Sequence, residues 1–428
     1  MEKKLIYTLP LLSAFNGISF FVFGLNIRLE QLWIVITDIL FLILVLLGGR
    51  KFYWDKAGFF LFFLWCVSLI SSYLYSPDRT YSLIQSVNII TISSSFFLMP
   101  VCLTQLSYFF KFLKNIFKIA IFISAWGLVL YIFSIVTGIP SYGVNLTQNE
   151  SDAYGVYMTM REQNIFGSYM LCVFLMSLPL LFSRAEIPFM RKNFLRSVML
   201  FSLLGIFLSF TRAVWIAVAL CSFIYFSINF RKLGNNFFKI LFLIVALVLF
   251  SVILSHVFHV EFINYKLLNL FNSESSTARG RLVIWGIALD NWIQNKHFLV
   301  GNGTYSFASF FNNDTYDNEQ NAWIGNHLIT FLHDTGILGI LFFFFFIGFL
   351  INYCIKKTKC ISPKDHEIIK HTKMGLLLGI IGVNFAFFFT SALSYSYSWI
   401  LFGLCAAINR IDQLKHMSKY NKKLNKKI

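Results

Sequence analysis

Four stretches of the chain carry residue types that could do chemistry. The first, Ser209-Phe210-Thr211-Arg212-Ala213-Val214-Trp215, joins two apolar runs. An arginine at that depth costs a few kcal/mol unless it snorkels to the interface or meets a partner. It reads either as a phosphate-binding guanidinium beside a ligand cavity or as an interfacial snorkeller. The second runs from Ser275-Ser276-Thr277-Ala278-Arg279-Gly280-Arg281 through Trp285 to Asn302-Gly303. Leu282, Trp285, Leu289 and Trp292 recur there at helical spacing, which predicts an amphipathic helix over 281–296 suited to lie on a membrane surface. Capping by Ser276 or Thr277 would leave Arg279 and Arg281 in the first turn, against the helix dipole. A bound anion relieves that conflict; an ordinary surface helix with basic flanks is the alternative.

The third stretch, Gly325-Asn326-His327 through His333-Asp334-Thr335-Gly336 to Gly339, opens another apolar run. His327 and Asp334 fall two turns apart on one helix face. Ionisable groups entering a membrane usually face a cavity or the bundle interior. A histidine there suits a general base near neutral pH, or a simple interfacial hydrogen bond; His333 is a weaker candidate for the same work. In the fourth stretch, Arg161, Glu162 and Asn164 precede a further apolar run and either line a polar site or mark the interface. No P-loop, HExxH or GxSxG pattern occurs, and no set of outer carboxylates and histidines has metal-ligand spacing, so neither metal nor cofactor is expected.

The elements that must position these residues are transmembrane. Of 428 residues, 57% are hydrophobic and only 13% charged, too few charges to cover a soluble chain of this size. Apolar runs able to cross about 30 Å of hydrocarbon lie near 5–25, 31–49, 57–75, 82–102, 116–138, 165–183, 194–211, 213–230, 237–257, 328–354, 374–392 and 396–409. Each must satisfy its own backbone in lipid, so helices are expected. The predicted fold is an all-α polytopic bundle of about twelve spans, residues 1–428 forming one integral membrane domain. Two connections, 139–164 and 258–327, are longer than connectors need and are expected to be functional outer loops holding short or amphipathic helices.

Sorting the cations by side gives the orientation. With Lys3 and Lys4 inside, every second connection is basic, and 28 of the 36 Lys and Arg residues fall on the inner side, so both termini are expected in the cytoplasm. The net charge of +17 is then mostly topology, and no nucleic-acid partner is needed. Six of the eight outer cations are Arg, against six of the 28 inner ones. Arginine suits bidentate phosphate binding, so the skew points to an anionic ligand outside. All seven cysteines lie in apolar or inner segments, and no disulfide is expected.

In this order, the four stretches resemble the O-antigen ligase and polymerase superfamily of bacterial envelope glycosyltransferases. Arg161 through Gly167 is similar to its PN-containing region, and Ser209 through Trp215 to its SR-x-(a/g)-W turn. Arg281 through Trp285 with Leu299 through Gly303 is similar to R-x-x-x-W followed by GvG, and Ile329 through Gly339 to the family's helix that ends E-x-G-x-x-G. The likeness covers about 155–345. Gly325 stands where ligases carry histidine, and His327 comes two residues later, which favours the polymerase branch.

The resemblance implies an inverting, metal-independent transfer from undecaprenyl-pyrophosphate-linked glycan onto a lipid-linked repeat unit, at the outer face of the bacterial inner membrane. Arg212, Arg281, Arg279 and Arg161 would bind pyrophosphate. His327, Glu162 or Asp334 would be the base, and Asn164, Asn326 and Trp285 would contact other parts of the substrate. A chain-length regulator and a flippase are implied partners besides membrane lipid. The rivals are an O-antigen ligase acting on lipid A-core or another acceptor, a lipid-linked oligosaccharide flippase, and a non-catalytic scaffold. A flippase would place charges along a central path, whereas Asp38 is the one clear mid-span acid.

Overall fold

The computed structural model describes residues 2–22, 25–47, 56–146, 154–160, 162–233, 276–295, 297–310, 324–360, 362–390 and 393–424. In chain order the elements are α1 (Glu2–Ala14), β1 (Ser19–Val22), β2 (Leu25–Arg28), α2 (Leu29–Leu46), α3 (Lys56–Ser72), α4 (Arg79–Ser93), α5 (Ser95–Cys102) and α6 (Leu106–Thr137). There follow β3 (Val144–Leu146), β4 (Tyr154–Val156), α7 (Gln163–Phe182), α8 (Lys192–Leu208), α9 (Arg212–Leu233), α10 (Ser276–Gln294), α11 (Phe307–Phe310), α12 (His327–Ile355), α13 (Pro363–Phe387) and α14 (Ser396–Leu424).

A helix apolar on every side can only be central or lipid-bound. In α7 every residue from Ile165 to Leu180 is buried, and the helix forms the axis against which α13, α8 and α9 pack. Helices α2 and α6 instead turn Leu32, Ile39, Leu42 and Leu46, and Phe122, Trp126, Val129 and Phe133, outward. Apolar side chains on the outside of a bundle are what lipid-facing helices present. Eight helical segments among the described residues are long and apolar enough to cross a membrane. They are Leu29–Leu46, Lys56–Tyr75, Arg79–Cys102, Leu106–Thr137, Gln163–Phe182, Arg212–Asn229, His327–Ile355 and Pro363–Phe387.

The twelve expected runs differ from this set for definite reasons. The run 5–25 does not form one helix: α1 carries Pro10 and ends at Ala14, and Ser19–Val22 pairs antiparallel with Leu25–Arg28. At 1.5 Å per residue α1 falls well short of the hydrocarbon thickness. The run 82–102 is kept as the span Arg79–Cys102, though it is made of two helices, α4 and α5, divided at Ser94, whose hydroxyl donates to Asp38 Oδ2 (2.5 Å). Helix α8 is only 17 residues long, α14 extends past its apolar part into the basic tail, and 237–257 lies outside the described residues. Among its described residues the 139–164 loop holds a strand pair, β3–β4, and with β1–β2 this adds two small hairpins to the all-α expectation.

The end predicted to be cytoplasmic is tied by a buried ion pair. Lys373 Nζ donates to Asp412 Oδ2 (2.8 Å), and Asp412 also accepts the backbone N–H groups of Lys359 and Cys360. One carboxylate thereby joins α13, α14 and the 356–360 connection.

Helix α12 is broken. Gly336 has φ 66° and ψ −167°, so the His327–Thr335 half and the Ile337–Ile355 half do not share a hydrogen-bond ladder. The orphaned groups are satisfied by an inserted segment of turns. Ile337 and Leu338 donate to the carbonyls of Phe298 and Leu299 (2.9 and 3.1 Å), while Asn302 and Gly303 donate to those of His333 and Asp334 (2.8 and 3.0 Å). Non-helical backbone at such a place is tolerable only with its polar groups satisfied inside the protein. A Cβ at Gly336 would meet the Leu299 carbonyl at 2.5 Å, and one at Gly301 the Asp334 carbonyl at 2.5 Å. Both positions also have positive φ, so glycine is required twice over.

Candidate functional site

The turn between α8 and α9 is built to present Arg212. Phe210 lies in the left-handed region (φ 50°), which costs roughly 1–2 kcal/mol for an L-residue. Aromatic packing holds it there: its ring lies 6.1 Å from Tyr131 and 5.8 Å from Phe207, and Phe207 stacks on Trp215. The Trp215 indole N–H donates to the carbonyl of Ile206 (3.1 Å), in the last turn of α8, where helix carbonyls lack intrahelical partners. Ser209 Oγ donates to the same carbonyl (2.7 Å). Arg212 then becomes the first residue of α9.

Against this turn packs the start of α7. A Cβ at Gly167 would fall 2.6 Å from Ser209 Oγ, so the turn approaches α7 more closely than any larger residue allows. Thr211 Oγ1 donates to Asn164 Oδ1 (3.3 Å). Glu162 occupies the N-cap position of α7, yet its side chain does not cap the helix. Its carboxylate interacts with Arg281 instead.

Arg281 comes from α10. That helix starts at Ser276, earlier than expected, so Ser276 is helical rather than a cap and Arg281 falls in the second turn. Leu282, Val283 and Ile293 are exposed, whereas Ala288 is buried and Trp285 and Trp292 are half-buried. The predicted face of Leu282, Trp285, Leu289 and Trp292 is therefore rotated: Arg281, Trp285, Ala288 and Trp292 share the side turned toward α12. Trp285 Nε1 donates to the Ile324 carbonyl (2.9 Å), and Ala288, Phe307 and Ile324 form a small separate core beneath it.

The charges of Arg212 and Glu162 both act on Arg281. Burial lowers the pKa of Arg281, the adjacent charge of Arg212 lowers it further, and Glu162 raises it. Arg281 therefore has a second guanidinium, that of the first residue of α9, and one carboxylate within electrostatic reach. Such a combination has the chemistry to hold an anion, since arginine forks match phosphate oxygens in pairs. Of the other expected cations, Arg161 lies outside the described residues, and Arg279 is placed only as a first-turn position of α10.

The remaining candidates occupy a second cluster, around the α12 break. His327 is buried between the rings of Phe331 (4.1 Å), Phe343 (5.1 Å) and Phe387 (5.5 Å), and neither ring nitrogen has a hydrogen-bond partner among the described residues. It borders a cavity of about 80 Å³ lined by Leu328, Phe343, Phe344, Ile347, Asn384 and Phe388. Both oxygens of Asp334 are engaged: Oδ1 with His333 Nδ1 (2.9 Å) and Oδ2 with the N–H of Tyr305 (2.8 Å). Asn326 is the N-cap of α12, its Oδ1 accepting from Leu328 and Ile329 (3.0 and 3.1 Å).

Sequence reasoning gave no role to Tyr305 or Arg28. Tyr305 has φ 58° and lies beside Asp334. Arg28 pairs with the fully buried Glu30 (3.5 Å), covers the Tyr395 ring (4.8 Å) and donates to the Ser394 carbonyl, while Ser396 donates to Glu30 (2.7 Å). The hint in the sequence was the placing of Arg28 and Glu30 at the head of an apolar run.

Residues 197–344 match the family model described as O-antigen ligase. The likeness to the O-antigen ligase and polymerase superfamily holds. The matched stretch contains the α8–α9 turn, α10 and the broken part of α12, hence Arg212, Arg281 and Asp334 together. No curated protein matches the chain. The helices make this a multi-pass membrane protein, and the match over 197–344 supports, coarsely, an O-antigen ligase or polymerase type of function.

Proposed function

We propose that this protein is a polysaccharide repeat-unit polymerase, moving a glycan from undecaprenyl pyrophosphate onto a lipid-linked repeat unit at the outer face of the inner membrane. The observation that carries this reading is a buried Arg281 acted on by the charges of Arg212 and Glu162. The acceptor hydroxyl oxygen attacks the anomeric carbon, the bond from that carbon to the pyrophosphate oxygen breaks with inversion, and undecaprenyl pyrophosphate departs. Negative charge grows on the leaving oxygen, where the two guanidinium groups stabilise it more in the transition state than in the ground state. The hydroxyl proton passes to a base, and Glu162 is the candidate beside the cations. His327, enclosed by phenylalanine rings, and Asp334, with both oxygens engaged, are less suited to that role.

Gly325, at the position where the resemblance puts a ligase histidine, favours the polymerase. The match to a model described as O-antigen ligase favours the second reading, transfer to lipid A-core or another acceptor. Reconstitution into liposomes with lipid-linked repeat units separates the two. A polymerase lengthens those units without lipid A-core; a ligase acts only once lipid A-core is supplied. Arg212→Ala and Arg281→Ala should each abolish the reaction while the protein still inserts. Wild-type product lengths in both variants would sink the proposed site.

A further inference from the structure

Each of the two converging arginines is followed, one helical turn later on the same helix, by a tryptophan whose indole N–H is spent on a backbone carbonyl of a neighbouring segment. Arg212 is followed at i+3 by Trp215, which bonds Ile206 in α8 (3.1 Å). Arg281 is followed at i+4 by Trp285, which bonds Ile324 just before α12 (2.9 Å). Residues three or four apart share a helix face, so each indole fixes the rotation and height of the turn that carries its arginine.

The two anchors serve different needs. Helix α9 follows a strained turn at Phe210, and Trp215 closes that turn by stacking on Phe207 and bonding the last turn of α8. Helix α10 exposes Leu282, Val283 and Ile293 on its other side, so its grip on the bundle comes from the face that bears Trp285, with Ala288 against Phe307 and Ile324. A half-buried tryptophan commonly needs one hydrogen bond for its N–H, and here that bond crosses from the helix with the cation to the element it must be registered against. Two like charges are costly to hold together without an anion, so unanchored helices would rotate to separate them.

We propose that Trp215 and Trp285 are positioning residues that hold Arg212 and Arg281 in register for a lipid-linked pyrophosphate. They do so through indole-to-carbonyl bonds, without touching the ligand. This rests on the anion-binding reading of the arginine pair. It replaces the expectation that Trp285 contacts substrate directly.

A double-mutant cycle tests it, using the full chain in nanodiscs and undecaprenyl pyrophosphate as the probe. Trp285→Phe keeps the ring and removes the donor. It should weaken binding about 2- to 10-fold, the net worth of one hydrogen bond, and have almost no further effect in an Arg281→Ala background. Trp215→Phe should behave the same way against Arg212→Ala. A general loss of stability would not couple to one arginine in this manner. Additive effects in both cycles, or wild-type affinity in both Trp→Phe variants, overturns the proposal. Unchanged affinity in Arg212→Ala and Arg281→Ala overturns the anion-site reading itself, a separate result.

Discussion

The carboxylate of Asp334 accepts the backbone N–H of Tyr305 at 2.8 Å across the break in α12 and holds the His333 ring at 2.9 Å with its other oxygen. One side chain thus locks the inserted 298–306 segment to the helix it interrupts. Asp334→Ala should leave a buried N–H and a buried imidazole unpartnered, destabilising by about 2–4 kcal/mol. Asp334→Asn, still able to accept from Tyr305, should cost less. Thermal unfolding of the purified protein in detergent gives the order, and equal losses would remove the latch role.

Gly336→Ala and Gly301→Ala meet the same obstacle from opposite sides, since each new Cβ would lie 2.5 Å from a carbonyl of the other segment. Either variant is expected to fall in membrane accumulation well below Gly348→Ala, which has open space around it. Quantitative blotting of membrane fractions makes the comparison.

Glu162 and the arginines give opposite signs for binding and turnover. Removing the carboxylate charge in Glu162→Gln takes away a negative charge that competes for Arg281, so affinity for undecaprenyl pyrophosphate should rise several-fold. If Glu162 takes the acceptor proton, glycan transfer should fall by about 10²–10⁴ in the same variant. Tighter binding with full turnover would move the base elsewhere.

At the other end of the bundle, Lys373→Ala or Asp412→Ala alone should destabilise by about 3–5 kcal/mol, because the abandoned partner is a buried charge. The double variant Lys373→Met with Asp412→Leu should recover part of that loss. A double variant as unstable as the worse single would show that the two backbone N–H bonds to Asp412 matter more than the pair.

Orientation can be read by labelling. A cysteine at exposed Tyr142 should react with a membrane-impermeant maleimide in spheroplasts, and one at exposed Lys357 only after permeabilisation. The reverse pattern would invert the charge-based topology.

Most of the helices were legible because apolar length is written directly in composition, and α2, α3, α6, α7 and α12 fall where hydropathy puts them. The first expected span failed because a window of apolar residues does not register that Pro10 and the Asn16-Gly17 pair end a helix, nor that Phe20 and Phe21 serve a strand. The arginines were legible as types on one side of the membrane. Their partners were not, since Glu162 lies 119 residues from Arg281 and no local pattern encodes that approach. Asp334 was legible as a buried acid in a membrane helix; its partners were only half so, since His333 is its neighbour but the N–H of Tyr305 comes from a segment 29 residues away.

The break in α12 also constrains how the chain is made. Residues 298–303 leave the ribosome about ten seconds or less before 333–338, at bacterial elongation rates. The segment that completes the broken helix is therefore already synthesised when the helix needs it, and the loop to be closed is only about thirty residues long, a modest entropic cost. Helix α10, the inserted segment and both halves of α12 hold these bonds without any residue of α13, so a released chain truncated just past 355 should already hold the clasp.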